Sequence, residues 1–387
     1  MANIYKGRGR KEDYEALMKT LDNVFEFDKP ESTSNFLKML PKLYKEKHDP
    51  AHNNFIIKNG ERVEAAVGLY YSDVFVGDEK ILFAGIGNVG VMEDVRGKGY
   101  MQECMEMAVE DMLEKRPVIC ELGGQRQRYG YYSFEMAAQQ IGISVNVSNL
   151  KHLYGKKATT DAVIKKLEPD NTEILEKINE LSKKSLFRYD RKAEDLYDIL
   201  ISWDNYAYYL EKDGEFLGYA VTNDDMNSIV EMKLVDYSDI RDFLIAFFRF
   251  CNQQTVSFRC HPLDKELVDT LDEICEEKSV SENGRFTVLD YETAIRAFLK
   301  AKSKINVLTD GKKVVRINGI AGVENIKIEV KNNAVAVCAT DEESDVCFEH
   351  KDAVRIMFGL SNKLGRYPSE FSSWFPLPLY TAVPDNV

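Results

Sequence analysis

The residues of this chain best suited by type and spacing to do chemistry are Arg96-Gly97-Lys98-Gly99-Tyr100-Met101. Glycine lets backbone approach an anion closely, and free N–H groups at a helix start point at it with the positive end of the helix dipole behind them. Arg96 and Lys98 place two cations where a pyrophosphate would sit. The pattern is neither Gly-x-x-x-x-Gly-Lys-Ser/Thr nor Gly-x-Gly-x-x-Gly, which disfavours a nucleoside triphosphatase and a Rossmann dinucleotide site. Standing alone, such a turn is more often a solvated loop. Its flanks decide.

Upstream, Lys80 to Val91 alternates or runs apolar through Ile81, Leu82, Phe83, Ile86, Val89 and Val91, as a strand does. Downstream, Met101, Cys104, Met105, Ala108, Val109, Met112 and Leu113 recur at steps of three and four while Glu103, Glu106, Glu110 and Glu114 can point outward. That spacing predicts an amphipathic helix, and Pro117 ends it. Val118 to Leu122 then reads as a buried strand running into Gly123-Gly124. Ahead of this unit, Glu12 to Phe25 has the spacing of one helical face, and a short helix capped by Ser34 is expected after Pro30. Phe55 to Ile57 and Val63 to Tyr71 form a hairpin over Lys58-Asn59-Gly60-Glu61, because Asn-Gly permits a tight turn.

A polar, glycine-containing stretch, Leu150 to Asp161, marks a first boundary. Beyond it the order of elements returns: a hairpin from Asn205 to Val221, a strand from Ile229 to Leu234, a helix from Ile240 to Cys251 and a strand from Thr255 to Cys260. The Arg-Gly-Lys-Gly turn has no counterpart there, so the expected organisation is a duplicated unit whose second copy has lost the site. From Val288 the pattern changes to a helix at Tyr291 to Ala301, three short strands within Val314 to Ala339 and a helix at Lys351 to Phe358. The tail Trp374-Phe375-Pro376-Leu377-Pro378-Leu379-Tyr380 is aromatic and proline-rich, which predicts a packed, extended segment. The expected units are residues 1–150, 151–287 and 288–387.

Arg96-Gly97-Lys98-Gly99 after Asn88 to Val91 resembles the coenzyme A pyrophosphate loop of the GNAT acetyltransferase superfamily, and Gly123 to Glu135 resembles its closing segment. Gly-Gly, three residues, then Arg128-Tyr129-Gly130-Tyr131 is similar to the enhanced intracellular survival (Eis-like) acetyltransferases within it. Met101 departs from the general superfamily, where a small residue is usual, and agrees with that branch. The resemblance implies an α+β protein: two tandem GNAT-like folds, the first intact and the second degenerate, followed by a sterol-carrier-protein-like domain. It implies an N-acetyltransferase that moves an acetyl group from acetyl-CoA to a primary amine such as an aminoglycoside, polyamine or lysine side chain.

The resemblance also distributes roles. Backbone groups of Val89 and Val91 would bind the pantetheine arm as an added strand does, and Arg96, Gly97, Lys98, Gly99, Tyr100 and Met101 would hold the pyrophosphate. Tyr131 takes the family's position for the general acid that protonates the departing thiolate; without the motif it would read as a core tyrosine, with Tyr129 and Tyr132 as its local competitors. The family's base is the terminal carboxylate, here that of Val387, which is ionised at pH 7; the plain alternative is a frayed end. A homo-oligomer, as in the family's hexamers, is implied.

Composition bounds these readings. With 64 Asp and Glu against 51 Lys and Arg, a net charge of −13 argues against a nucleic-acid binder and favours a cationic partner. Seven scattered cysteines without a Cys-x-x-Cys pair suit a reducing, cytoplasmic compartment, and five dispersed histidines provide no metal spacing. Met1 to Lys11 is too polar for a signal peptide, and Phe243 to Cys251 is too short to span a membrane. The competing class is a non-catalytic binding protein, its last hundred residues forming a lipid-carrier-like pocket and its front domains kept as a coenzyme A sensor or scaffold.

Overall fold

The computed structural model describes residues 4–29, 32 and 34–387. Three sheets organise them. The first runs in the order Ile4–Arg8, Asn54–Asn59, Arg62–Val76, Glu79–Val91, Ile119–Leu122, Arg285–Val288 and Glu135–Met136, with Phe187–Tyr189 paired to the far end of Arg62–Val76. The second runs Glu277–Ser281, Gln140–Asn146, Thr255–Cys260, Ser228–Leu234, Glu215–Thr222, Tyr206–Lys212 and Val163–Lys166. The third is Ala334–Ala339, Gly322–Lys331, Gly311–Gly319 and Val346–Glu349.

In the first sheet Glu79–Val91 passes through the helix Tyr100–Lys115 into Ile119–Leu122, its parallel neighbour. The second sheet repeats that connection, from Ser228–Leu234 through the helix Ile240–Cys251 into Thr255–Cys260, again parallel. Hairpin, strand, helix and strand thus follow one another in both, as the periodicities predict. A parallel pair needs such a crossover, and the helix buries its apolar stripe on the sheet it crosses. Cys104, Met105, Ala108 and Met112 are fully buried against Ala84 and Ile86 in the first sheet, and Phe243, Leu244 and Phe247 against Ile229 and Phe258 in the second.

Sheet membership crosses the expected boundaries at 150 and 287. Gln140–Asn146 joins the second sheet, while Phe187–Tyr189 and Arg285–Val288 join the first. Strands choose partners by unmet hydrogen bonds and a shared apolar face, which chain order does not reveal. The polar stretch expected from Leu150 begins inside a helix, Val147–Tyr154, started by a reciprocal cap between Asn146 and Asn149. The early short helix, Phe36–Met39, is capped by Asn35 and not by Ser34: Asn35 is extended and accepts the Lys38 N–H at 2.8 Å. Pro30, which was expected to precede it, lies outside the described residues.

The third sheet packs on the back of the first through one core that joins Phe83, Ile119 and Phe286 to Phe298, Phe358 and Trp374. Its buried sheet residues Val315, Ile317, Ile326 and Ile328 share that core with Ala353, Ile356 and Met357. The aromatic tail is packed as expected: Trp374, Phe375, Leu377, Leu379 and Tyr380 are each at most 1% exposed. That packing carries the chain's last residues back to the first sheet. All seven cysteines are free thiols. Among the described residues, no helix is long and apolar enough to cross a membrane, and no group of three or more His, Cys, Asp or Glu could hold a metal ion.

Candidate active site

Glu79–Val91, the site strand, pairs with its companion Ile119–Leu122 only from Phe83 to Ile86. Gly87–Val91 run on past it, so the two strands open like a V. Along the first part, the Leu82 carbonyl accepts the Val118 N–H at 2.8 Å, so the backbone groups of even-numbered residues face the companion. At Asn88 the φ angle is +42° and the register against Arg62–Val76 jumps: Gly68 faces Gly87, whereas Ala66 faces Gly90. An extra residue in one strand reverses the phase of everything after it. Beyond the bulge the Met92 N–H donates to the Glu64 carbonyl at 2.9 Å, on the opposite edge. Alternation then turns the N–H and C=O groups of Val89 and Val91 into the open V.

Asn88 holds this bulge. Asparagine tolerates a positive φ better than most residues, and its side chain is fixed on three sides. Its Oδ1 accepts the Tyr44 hydroxyl at 2.7 Å and the Tyr70 hydroxyl at 3.4 Å, and its Nδ2 donates to Asn54 at 2.6 Å. A β-carbon on Gly68 would stand 2.2 Å from that Oδ1, so the glycine makes the space the amide fills.

At the end of the strand, Arg62 grips Asp94 through two bonds of 2.7 and 2.6 Å and steadies the turn Glu93–Val95. Gly97 and Gly99 follow with φ of +85° and +83°, and a β-carbon at either would meet nothing within 4 Å. Backbone conformation, not crowding, requires glycine there. Gly99 is the N-cap of Tyr100–Lys115 and supplies no side-chain cap, so early N–H groups of that helix are left for a ligand. Arg96 and Lys98 are exposed beside it. The Tyr100 side chain points inward, 8% exposed, with the Lys98 ammonium 5.7 Å from its ring centre, while Met101 is half-buried on the same core. Only the backbone of Tyr100 is therefore available to an anion.

The last residue of the chain lies on the other face of the site strand. A β-carbon on Gly85 would be 2.4 Å from Val387 Cγ2, and one on Gly87 3.1 Å from its carboxyl carbon. Val387 packs there with Trp203 on the core formed by Leu17, Phe36, Tyr44 and Tyr70. A frayed end does not describe it.

Glu121 sits opposite Gly85 in the parallel register, so its side chain leaves the sheet on the face that carries Val387. Burial pushes the Glu121 carboxyl up to about 7, with Lys42 partly offsetting it. Burial lowers the Lys42 ammonium to about 7, against the attraction of Asp385. Neither residue was singled out from sequence. The legible signal was Glu121 itself, a carboxylate inside the apolar run Val118 to Leu122.

Tyr131 lies on the turn Gly130–Tyr132 that follows the companion strand and the short helix Arg126–Tyr129. It is 90% exposed and not a core residue; Tyr129, 6% exposed, fills that role and abuts Gly124. Its ring borders a shallow hollow with Arg126, Gln127 and Lys351, and its hydroxyl has no hydrogen-bond partner among the described residues. Tyr132 is half-buried, and burial with the nearby Glu106 raises its hydroxyl above the usual range. The structure therefore gathers Val89, Val91 and the loop Arg96 to Met101 along one strand and turn, and sets Val387 behind that strand. It leaves the Tyr131 side chain exposed to solvent.

A cleft of about 920 Å³ opens beside the end of the site strand, between Tyr14–Val24 and Met92. Glu15, Asp22, Asp28 and Glu61 line it, with Lys19 and Arg62 the opposing charges. Asp22 accepts the Phe36 N–H at 3.1 Å, and burial raises its carboxyl above the ordinary range.

Residues 8–137 match the acetyltransferase (GNAT) domain family. No curated protein matches the sequence. Solved structures share the fold over nearly the whole chain. A GCN5-related N-acetyltransferase from Anabaena variabilis superposes with a TM-score of 0.67 at 12% identity, covering 98% of each chain. One from Kribbella flavida gives 0.63 at 15% identity, over 92% of this chain and 88% of its own. Eis1 from Mycobacterium abscessus gives 0.61 at 12% identity, over 100% and 99%. At these identities the likeness concerns the fold.

Proposed function

We propose that this acyltransferase, whose residues 8–137 match the GNAT acetyltransferase domain family, transfers the acetyl group of acetyl-CoA to a primary amine. The bulge at Asn88 carries this reading: it turns the backbone of Val89 and Val91 into the V, where a pantetheine arm can pair as an added strand. The same strand leads into the uncapped helix start at Gly97 to Met101, with Arg96 and Lys98 beside it, which suits a pyrophosphate.

In this reading the thioester carbonyl is held in the V, next to the part of the strand backed by Val387. A neutral amine attacks the carbonyl carbon; the C–N bond forms, the C–S bond breaks, and the thiolate leaves. The carboxylate of Val387 takes the proton that the amine loses. Tyr131 donates a proton to the thiolate, and its exposed hydroxyl, without a hydrogen-bond partner among the described residues, supports that role. The carboxylates of the adjoining cleft support a cationic acceptor such as an aminoglycoside, polyamine or lysine side chain.

We read the chain as two GNAT-like units and a sterol-carrier-like unit. The filled face of the third sheet supports a part in seating the tail over a part in carrying lipid. Seven unpaired thiols support a cytoplasmic setting, and a hexamer is the assembly to test by light scattering. The central experiment follows thiol release from acetyl-CoA with an amine panel. Turnover with at least one amine supports the enzyme; tight coenzyme A binding without turnover for any amine would favour a sensor.

A further inference from the structure

We propose that Arg191 and Trp203, from the middle of the chain, are positioning residues that clamp the tail so that Val387 seats on Gly85 and Gly87. This rests on the reading of the Val387 carboxylate as the base.

Three consecutive tail residues are each held by a different side chain. Lys42 Nζ donates to the Pro384 carbonyl. Arg191 binds the Asp385 carboxylate through Nε at 2.9 Å and Nη2 at 2.8 Å. Trp203 Nε1 donates to the Asn386 carbonyl at 3.0 Å. Val387 follows directly, against the two glycines. One extended residue spans only about 3.3 to 3.6 Å, so gripping the three residues before it leaves the terminal carboxylate little freedom.

The grip on Asp385 is an ionic cluster withdrawn from water. The same Arg191 guanidinium bonds Glu231 at 2.8 and 2.6 Å, and the Arg191, Glu231 and Asp385 side chains are only 7, 10 and 8% exposed. The Tyr219 hydroxyl donates to Glu231 at 2.6 Å. A buried ion pair contributes little stability compared with apolar packing of the same volume; what it does supply is geometry. Guanidinium suits this task because its rigid fork can bind two carboxylates at once. Glu231 lies on Ser228–Leu234, the strand of the second sheet that corresponds to the site strand of the first. The second sheet thus turns the equivalent of its own site strand toward the tail.

Trp203 gives an independent sign. Its φ is +65° and that of Asp204 +53°, a left-handed conformation uncommon for a bulky side chain. The Trp203 backbone N–H donates to the Met39 carbonyl at 2.6 Å, which pins this turn to the N-terminal helices. Backbone strain persists where the surroundings enforce it, and here it aims the indole N–H at the tail.

The test compares Asp385→Ala, Trp203→Phe and a chain extended by a few residues beyond Val387. Asp385→Ala leaves the Arg191–Glu231 pair intact, and Trp203→Phe keeps the aromatic packing, so both should remain folded. Hydrogen exchange of the peptide ending at Val387 and steady-state kinetics with acetyl-CoA and the best amine of the panel are measured together. The clamp predicts faster exchange in that peptide for both substitutions, with the rest of the protein unchanged. It also predicts kcat lowered on the order of 10- to 100-fold, as for a misplaced catalytic group, at nearly constant KM for acetyl-CoA. Unchanged tail exchange overturns it, as does turnover per folded molecule equal to wild type. If the extension lowers kcat and the substitutions do not, the clamp fails while Val387 stands as base. If the extension leaves kcat unaltered, the base reading fails, and the positioning role falls with it.

Discussion

Gly85 and Val387 share one volume: a β-carbon on the glycine would stand 2.4 Å from Cγ2 of the terminal valine. No side chain other than hydrogen fits at Gly85 while the tail is seated. At Gly87 the clearance is 3.1 Å to the carboxyl carbon, a contact that a few tenths of an ångström would relieve.

Gly85→Ala should therefore displace the tail and lower kcat on the order of tenfold or more, with Gly87→Ala the milder change. Acetyl-CoA KM should shift little in either, since the backbone of Val89 and Val91 is untouched. Steady-state kinetics of the two variants side by side check this; a larger effect at Gly87 would contradict the packing order.

Gly99→Ala acts differently. A β-carbon there meets open space, but φ of +83° strains any other residue at the start of Tyr100–Lys115. The cost of about 1 kcal/mol or more falls on the conformation that presents the helix N–H groups. Acetyl-CoA KM should rise roughly fivefold or more at a similar kcat. Titration of coenzyme A by calorimetry would show the same loss without any acceptor present.

Tyr131→Phe should separate chemistry from stability. The residue is 90% exposed and its hydroxyl has no partner among the described residues, so unfolding free energy should stay within about 0.5 kcal/mol of wild type. If Tyr131 is the acid, kcat falls on the order of 10²- to 10⁴-fold. Undiminished turnover would move the role to Tyr132 or to solvent.

Glu121 and pH supply a fourth test. Because its folded carboxyl is raised from an ordinary 4.5 to about 7, the native state binds more protons than the unfolded state between those values. Its contribution to stability is thus fully present below pH 4.5 and is lost as pH rises toward 7. Glu121→Gln removes that dependence, so the variant should gain on wild type, by about 1 to 3 kcal/mol between pH 4.5 and pH 7. Denaturant unfolding at both pH values checks the sign; a gain that shrinks with rising pH would refute it.

The linear sequence determined what depends on neighbours in the chain. Glycines at 97 and 99, alternation to Val91 and the helical spacing from Met101 to Leu113 express conformational preferences of adjacent residues, so strand, turn and helix were legible. So was the packed tail, because seven aromatic, leucine and proline residues in a row are costly to leave in water. Tertiary structure alone decided the rest. Asn88 becomes a bulge only because Tyr44, Tyr70 and Asn54 converge on it and Gly68 leaves room. Lys42, Arg191 and Asp385 are far apart in sequence, where each looks like an ordinary surface charge. Their buried pairing, like the exchange of strands between the two large sheets, comes from long-range contacts that no local periodicity encodes.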